Sequence, residues 1–191
     1  MTSPVHQRYT ASMMNTFGPP KLVLTRGEGA YVWDSEGNRY LDLLSGIAVN
    51  ALGHANPRLV EALTGQAQKL WHVSNLFRIP EGERLAERLC EATFADLVFF
   101  TNSGAEAMEC AIKTARKYQS ASGHPERFRI VTFEGAFHGR TLGTLAATGS
   151  AKYLEGFGPP LDGFDQVPHG DLEAVKKAIG PQTAGILIEP V

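Results

Sequence analysis

Leu97-Val-Phe-Phe-Thr-Asn-Ser-Gly-Ala-Glu-Ala-Met-Glu-Cys-Ala-Ile-Lys-Thr-Ala-Arg-Lys-Tyr118 decides the reading of this chain. The apolar run Leu97–Phe100 predicts a short buried strand bounded by polar turn residues. Beyond the turn-like Thr101–Ala105, small and apolar side chains recur at helical spacing, with Ala107, Ala111, Ala115 and Tyr118 on one face and Met108 and Ile112 beside it. Glu106 and Glu109 fall in the early turns and Lys113, Arg116 and Lys117 in the last, the order that complements a helix dipole. A strand thus passes through a small-residue loop into a helix whose first N–H groups have no partner within the helix. Such a helix start accepts an anion, most often a phosphate. It also serves as a plain connection, and the residues alone leave both readings open. No Gly-Lys-Ser/Thr follows and the glycines do not form Gly-x-Gly-x-x-Gly, which argues against the familiar nucleotide loops.

Composition narrows the class. The 191 residues suffice for one domain with a sizeable core, or for one domain and part of another. A hydrophobic fraction of 43% with 20% charged residues is that of a soluble globular protein. Eighteen Lys and Arg against twenty Asp and Glu give a net charge of −2, so neither nucleic acid nor an anionic membrane is an expected partner. No apolar stretch approaches a membrane span and the N-terminus lacks the apolar core of a secretory signal. Two cysteines make no disulfide framework, the default compartment is a reducing cytoplasm, and the six scattered histidines lack metal-ligand spacing.

Upstream, Phe17–Leu44 predicts an antiparallel meander with strands Lys21–Thr25, Ala30–Trp33 and Asn38–Leu43, joined by the turns Arg26-Gly-Glu-Gly29 and Asp34-Ser-Glu-Gly37. Pro57–Trp71 and Glu81–Ala92 predict amphipathic helices, Pro80 standing at the entrance of the second. Downstream the rhythm is strand, helix, strand, helix. Strand Phe128–Phe133 leads into loop Glu134–Arg140 and segment Thr141–Ala147, and helix Leu172–Ala178 precedes strand Ala184–Glu189. The alternation predicts an α/β fold with a mainly parallel sheet covered on both faces, preceded by a small antiparallel segment. Residues 1–55 form the first part and residues 56–191 the sheet-bearing part. Ligands of such sheets sit outside the carboxyl ends of the strands. There lie Asn102-Ser103-Gly104-Ala105, Phe137-His138-Gly139-Arg140 and Glu189-Pro190-Val191. Taken singly, Phe137 reads as a core or lid aromatic, His138 as a turn histidine and Arg140 as a solvated cation. From the residues the inference reaches an α/β enzyme with an anionic cofactor.

Gly46-Ile-Ala-Val-Asn-Ala-Leu-Gly-His54, His72-Val-Ser-Asn-Leu-Phe77, Asn102-Ser-Gly-Ala-Glu-Ala107, Phe137-His-Gly-Arg-Thr141 and Ile188-Glu-Pro-Val191 occur in this order. Together they resemble the acetylornithine/ornithine subgroup of the pyridoxal-phosphate aminotransferases of fold type I, along the whole chain. The resemblance implies the large domain of that fold for residues 56–191, incomplete at its C-terminal side, and part of the small domain for residues 1–55. It implies pyridoxal 5'-phosphate as cofactor, with Ser103, Gly104 and Ala105 holding the phosphate and Phe137 stacked on the ring. Arg140 then binds the substrate α-carboxylate. Some relatives carry Thr where this chain has Ala105, so one hydroxyl contact is missing here. The implied reaction moves the terminal amino group of N-acetylornithine to 2-oxoglutarate in arginine biosynthesis, in a homodimer. Ornithine, succinylornithine and 4-aminobutyrate are alternative donors. A decarboxylase or racemase of the same fold would share the phosphate loop but need not carry Arg140. The Schiff-base lysine and the aspartate facing the pyridine nitrogen have no matching position among these residues. No catalytic residue is therefore assigned, and the isolated chain is expected to be an inactive N-terminal portion, or a non-catalytic assembly module. Ser74 and Asn75 read either as active-site rim or as plain loop.

Overall fold

The structure, a computed structural model, describes Met14, Thr16 and residues 20–190; Phe17, the expected start of the meander, and Val191 lie outside the described residues. The chain divides into two compact units, residues 1–79 and 80–191.

In the first unit β1 (Leu24–Glu28), β2 (Tyr31–Asp34) and β3 (Arg39–Leu41) form the antiparallel meander. The first strand sits later than expected, because Arg26, Gly27 and Glu28 pair with Trp33, Val32 and Tyr31 instead of forming the turn. Stacking favours that register: the Arg26 guanidinium lies 4.1 Å from the centroid of Trp33, across the strand pair. Gly27 is needed in the strand, since a Cβ there would come within 2.5 Å of the His54 ring.

The Asp-Ser-Glu-Gly turn forms as read, around a buried carboxylate. Asp34 Oδ1 accepts the N–H groups of Glu36 and Asn38, both at 2.9 Å, while Oδ2 accepts the Asn38 side-chain amide at 3.0 Å and the Tyr40 hydroxyl at 2.8 Å. These donors, the Asn38 amide foremost, hold the carboxyl at about 2 against its ordinary 3.8. The folded value is the lower one, so the stabilisation is complete above 3.8 and is lost as pH falls toward 2. Thermal melts of the parent and of Asp34→Asn should differ most at neutral pH and converge through that acid window; a gap independent of pH would contradict this.

After β3, Ser45, Gly46, Ile47 and Ala48 form one left-handed turn with φ of 48°, 64°, 65° and 61°. Three of the four carry a Cβ, so the turn needs outside support. Asp42 supplies it: Oδ1 accepts the N–H groups of Leu44 at 3.1 Å and Ser45 at 2.9 Å, and Oδ2 lies 2.7 Å from His54 Nε2. Helix α1 (Pro57–Ala67) follows, capped by the Asn56 side chain, and stops short of the expected Trp71.

The second unit contains α2 (Pro80–Ala92), α3 (Gly104–Ala121), β4 (Arg129–Phe133), α4 (Leu142–Thr148), α5 (Ala151–Leu154), β5 (Phe164–Val167), α6 (Leu172–Ala178) and β6 (Thr183–Ile186). The sheet is parallel in the order β5-β4-β6, as expected of βαβ units. Alternation along β4 divides the core between its faces. Ile130 packs with Ile112 and Ala147 on one side, while Val131 and Phe133 pack with Val167, Ala174, Val175 and Ala178 on the other. The β4–β5 register is clamped at the strand starts by Arg129, whose guanidinium grips Asp165 with Nη2–Oδ1 at 2.7 Å and Nε–Oδ2 at 2.9 Å.

The expected strand Leu97–Phe100 is not formed. The segment has no strand pairing among the described residues, and Leu97 and Phe99 are 90% and 78% exposed. A strand exists only against a partner backbone; β4 already has β5 and β6 on its two sides, and no other described strand meets residues 97–100. Strand β5 was not anticipated, and β6 begins earlier and ends earlier than the expected Ala184–Glu189. The chain thus leaves the sheet before Glu189.

Candidate active site

Ser103 is extended (φ −155°, ψ 164°) and caps α3, its Oγ accepting the Glu106 N–H at 3.2 Å. The cap leaves the Ser103 hydroxyl hydrogen available. The N–H groups of Gly104 and Ala105, first in the helix, have no carbonyl four residues back. The space over Gly104 is open: a Cβ there would meet no heavy atom within 4 Å. Glu106 turns its carboxylate to the Asn102 N–H at 2.6 Å, closing the loop on itself. The result is a solvent-facing cluster of one hydroxyl and two amides at the positive end of an 18-residue helix.

The loop after β4 lies against this helix start. Gly139 has φ +127°, and a Cβ on it would come within 3.0 Å of Ala105 Cβ and 2.8 Å of Thr144 Oγ1. Ser103–Ala105 and Phe137–Arg140 are therefore neighbours, brought together by a contact that only glycine permits. Around it the loop is pinned at several points. The His138 N–H donates to Thr148 Oγ1 at 3.1 Å, and Thr141 and Thr144 form a reciprocal capping box at the start of α4. The Thr141 hydroxyl also donates to Glu109 Oε1, so α3 carries both the helix start and the anchor of the loop. Of these supports, Thr144 and Thr148 have no place in the sequence reading, and the anchoring roles of Glu109 and Thr141 are not part of it, although Thr141-Leu-Gly-Thr144 is a readable capping pattern.

Phe137 is half exposed, its ring free on the solvent side, and the Arg140 guanidinium stands 5.9 Å from its centroid and 5.5 Å from that of Tyr153. No described carboxylate pairs with Arg140, which leaves its fork of donors for an anionic ligand. His138 is buried at 5% exposure, and its Nε2 has no partner among the described residues. Burial lowers its pKa, with the negative charge of Glu189 acting the other way. Glu189 reaches the loop from the segment after β6, its Oε2 accepting the Phe137 N–H at 2.9 Å. Ser74 and Asn75 belong to the first unit, where Ser74 Oγ accepts the Leu76 N–H at 3.3 Å within its own loop. A groove of about 820 Å³ runs along α3 from Phe99 to Ala121 and includes neither Ser103 nor Phe137.

The arrangement is a helix start with unpaired amides, an exposed aromatic ring and a guanidinium with no carboxylate partner among the described residues, side by side at the carboxyl end of β4. The family model for class-III aminotransferases matches residues 13–191, and the chain belongs to that family. Acetylornithine aminotransferase 1 of Bradyrhizobium diazoefficiens is 69% identical over 179 residues, covering 94% of this chain and 44% of that protein. The acetylornithine aminotransferase of Agrobacterium fabrum is 63% identical, covering 95% of this chain and 45% of its own length. The chain thus spans under half the length of these curated relatives. Among solved structures, the ornithine aminotransferase of Toxoplasma gondii, crystallised with pyridoxal phosphate at partial occupancy, superposes with a TM-score of 0.93 at 28% identity, over 100% of this chain and 46% of that one. An (S)-enantioselective omega-transaminase of Thermomicrobium roseum superposes with a TM-score of 0.88 at 33% identity, over 98% of this chain and 49% of that one.

Proposed function

We propose that this chain supplies the cofactor cradle of a pyridoxal-phosphate-dependent aminotransferase that takes the terminal amino group of N-acetylornithine to 2-oxoglutarate, in arginine biosynthesis. The observation that carries the reading is the contact of Gly139 with Ala105, which sets an anion site, an aromatic face and a carboxylate-binding guanidinium next to one another. The residues fit the group. The open space above Gly104 admits a phosphate to the Gly104 and Ala105 N–H groups and the Ser103 hydroxyl, and the free face of Phe137 suits a flat heterocycle. When bound, pyridoxal phosphate supplies the carbonyl and the electron-withdrawing ring of amino-group transfer. The chain's own work is to hold the phosphate, fix the ring plane through Phe137 and orient the substrate carboxylate through Arg140. Identity of 69% with one acetylornithine aminotransferase, against 28% with an ornithine aminotransferase, favours N-acetylornithine over ornithine as the donor.

The same reading assigns residues 1–55 to the small domain and residues 56–191 to the large domain of a homodimeric cytoplasmic enzyme. It places the Schiff-base lysine in the remainder of the full-length protein, so the 191-residue chain alone should show no turnover. Arg140→Ala in the full-length protein tests the substrate role. Loss of two charge-assisted bonds, each worth roughly 1.5–3 kcal/mol, should raise KM for the amino donor at least about a hundredfold with a smaller change in kcat. An unchanged KM would contradict the assignment of Arg140.

A further inference from the structure

We propose that Glu189 is a positioning residue for the cofactor ring, acting through the backbone of Phe137; this rests on the cofactor reading above. Phe137 follows β4 and Glu189 follows β6, the neighbouring parallel strand, and 52 residues separate them in sequence. β6 ends at Ile186, and after one more backbone bond to β4, from Leu187 N–H to the Val131 carbonyl, the chain turns away. That departure brings the Glu189 carboxylate to the loop, where Oε2 accepts the Phe137 N–H at 2.9 Å. The bond is charge-assisted and lies at an exposed position, and Glu189 itself lines a cavity of about 300 Å³ with Glu134, Gly135, Ala136, His169 and Pro190 at the carboxyl ends of the strands.

The neighbours of Phe137 are held by contacts of their own. The Ala136 N–H donates to the Phe133 carbonyl at 3.4 Å, the His138 N–H to Thr148 Oγ1 at 3.1 Å, and Gly139 fits against Ala105 and Thr144, while the Phe137 side chain is 51% exposed. An aromatic ring with one face in solvent takes its plane from its backbone, and the backbone N–H of Phe137 ends on Glu189. A carboxylate suits this task because it accepts strongly and has no donor of its own to misalign. Glu189 thus controls where the ring sits without touching the cofactor.

The test is a double-mutant cycle in the full-length protein, read by pyridoxal-phosphate affinity and by the visible circular dichroism of the bound cofactor. Glu189→Ala should weaken pyridoxal-phosphate binding roughly tenfold, the scale of one charge-assisted hydrogen bond, and reduce the dichroic band of the cofactor. In a Phe137→Ala background the same substitution should change affinity by less than about twofold, because the ring it positions is gone. Glu189→Gln, whose amide oxygen still accepts the N–H, should restore most of the affinity and the band. Equal losses with and without the Phe137 ring, or full affinity and an unaltered band in Glu189→Ala, overturn the inference while leaving the cofactor reading intact. A parent protein that takes up no pyridoxal phosphate overturns both.

Discussion

Replacing Gly139 by valine should destabilise the second unit by roughly 2–5 kcal/mol and abolish cofactor uptake together, the sum of overpacking and of a backbone conformation that a β-branched residue resists. At φ +127° the first added carbon already lies 2.8 Å from Thr144 Oγ1 and 3.0 Å from Ala105 Cβ. Neither neighbour can yield cheaply. Thr144 Oγ1 accepts the Thr141 N–H at 2.9 Å and completes the α4 capping box, and Ala105 is in the first turn of α3, where its own N–H is one of the two unpaired amides. The valine must therefore displace either the loop that carries Phe137 and Arg140 or the helix start that carries Ser103 and Gly104. Gly139→Ala should show the same effects in smaller measure. Thermal melting and pyridoxal-phosphate titration of the full-length variants check this; wild-type stability and affinity in Gly139→Val would show that the two elements are not in contact.

Gly104→Val should behave in the opposite way, with nearly parental stability and a large loss of affinity. A Cβ at Gly104 meets nothing within 4 Å, so the fold has room for it. The N1 position tolerates most residues, and the helix cap by Ser103 involves the Glu106 N–H rather than that of Gly104. What the branched side chain does obstruct is the approach of a phosphate to the first amides of α3. With each hydrogen bond to a charged group worth about 1.5–3 kcal/mol, pyridoxal-phosphate affinity should fall at least ten- to a hundredfold. Pyridoxal without its phosphate should lose little. A proportional loss for both compounds would show that the phosphate lies elsewhere. The pair of glycines thus separates two demands: Gly139 lets elements meet, and Gly104 leaves a ligand room.

The parts of the fold that were legible in the sequence are those set by local chemistry. The α3 helix announces itself by spacing and charge order, the Asp34 turn by its residue types, and β4 by the short, β-branched and aromatic run Ile130-Val-Thr-Phe133, buried on both faces. Where the reading failed, the cause was non-local. Leu97–Phe100 has the composition of an inner strand, but composition does not supply the backbone it must pair with. Strand β5, Phe-Asp-Gln-Val, hides its character because its two polar residues have specific tasks. Asp165 neutralises Arg129 on β4, and the Gln166 side chain fills the space left by the missing side chain of Gly149. The first strand was placed early because Arg26-Gly-Glu-Gly29 looks like a turn until Trp33 is seen beneath Arg26. At the candidate site, Ser103, Gly104, Ala105, Phe137 and Arg140 were named from motifs. Their supports, Glu109, Thr141, Thr144 and Glu189, become meaningful only when distant segments are placed side by side.

The central claim concerns where the phosphate of the cofactor rests, and a crystal structure of the full-length protein loaded with pyridoxal phosphate tests it most directly. The account predicts phosphate oxygens accepting hydrogen bonds from the Gly104 and Ala105 N–H groups and the Ser103 hydroxyl, with the Phe137 ring parallel to the pyridine. A cofactor seated away from the start of α3, with those three donors facing only solvent, would contradict it.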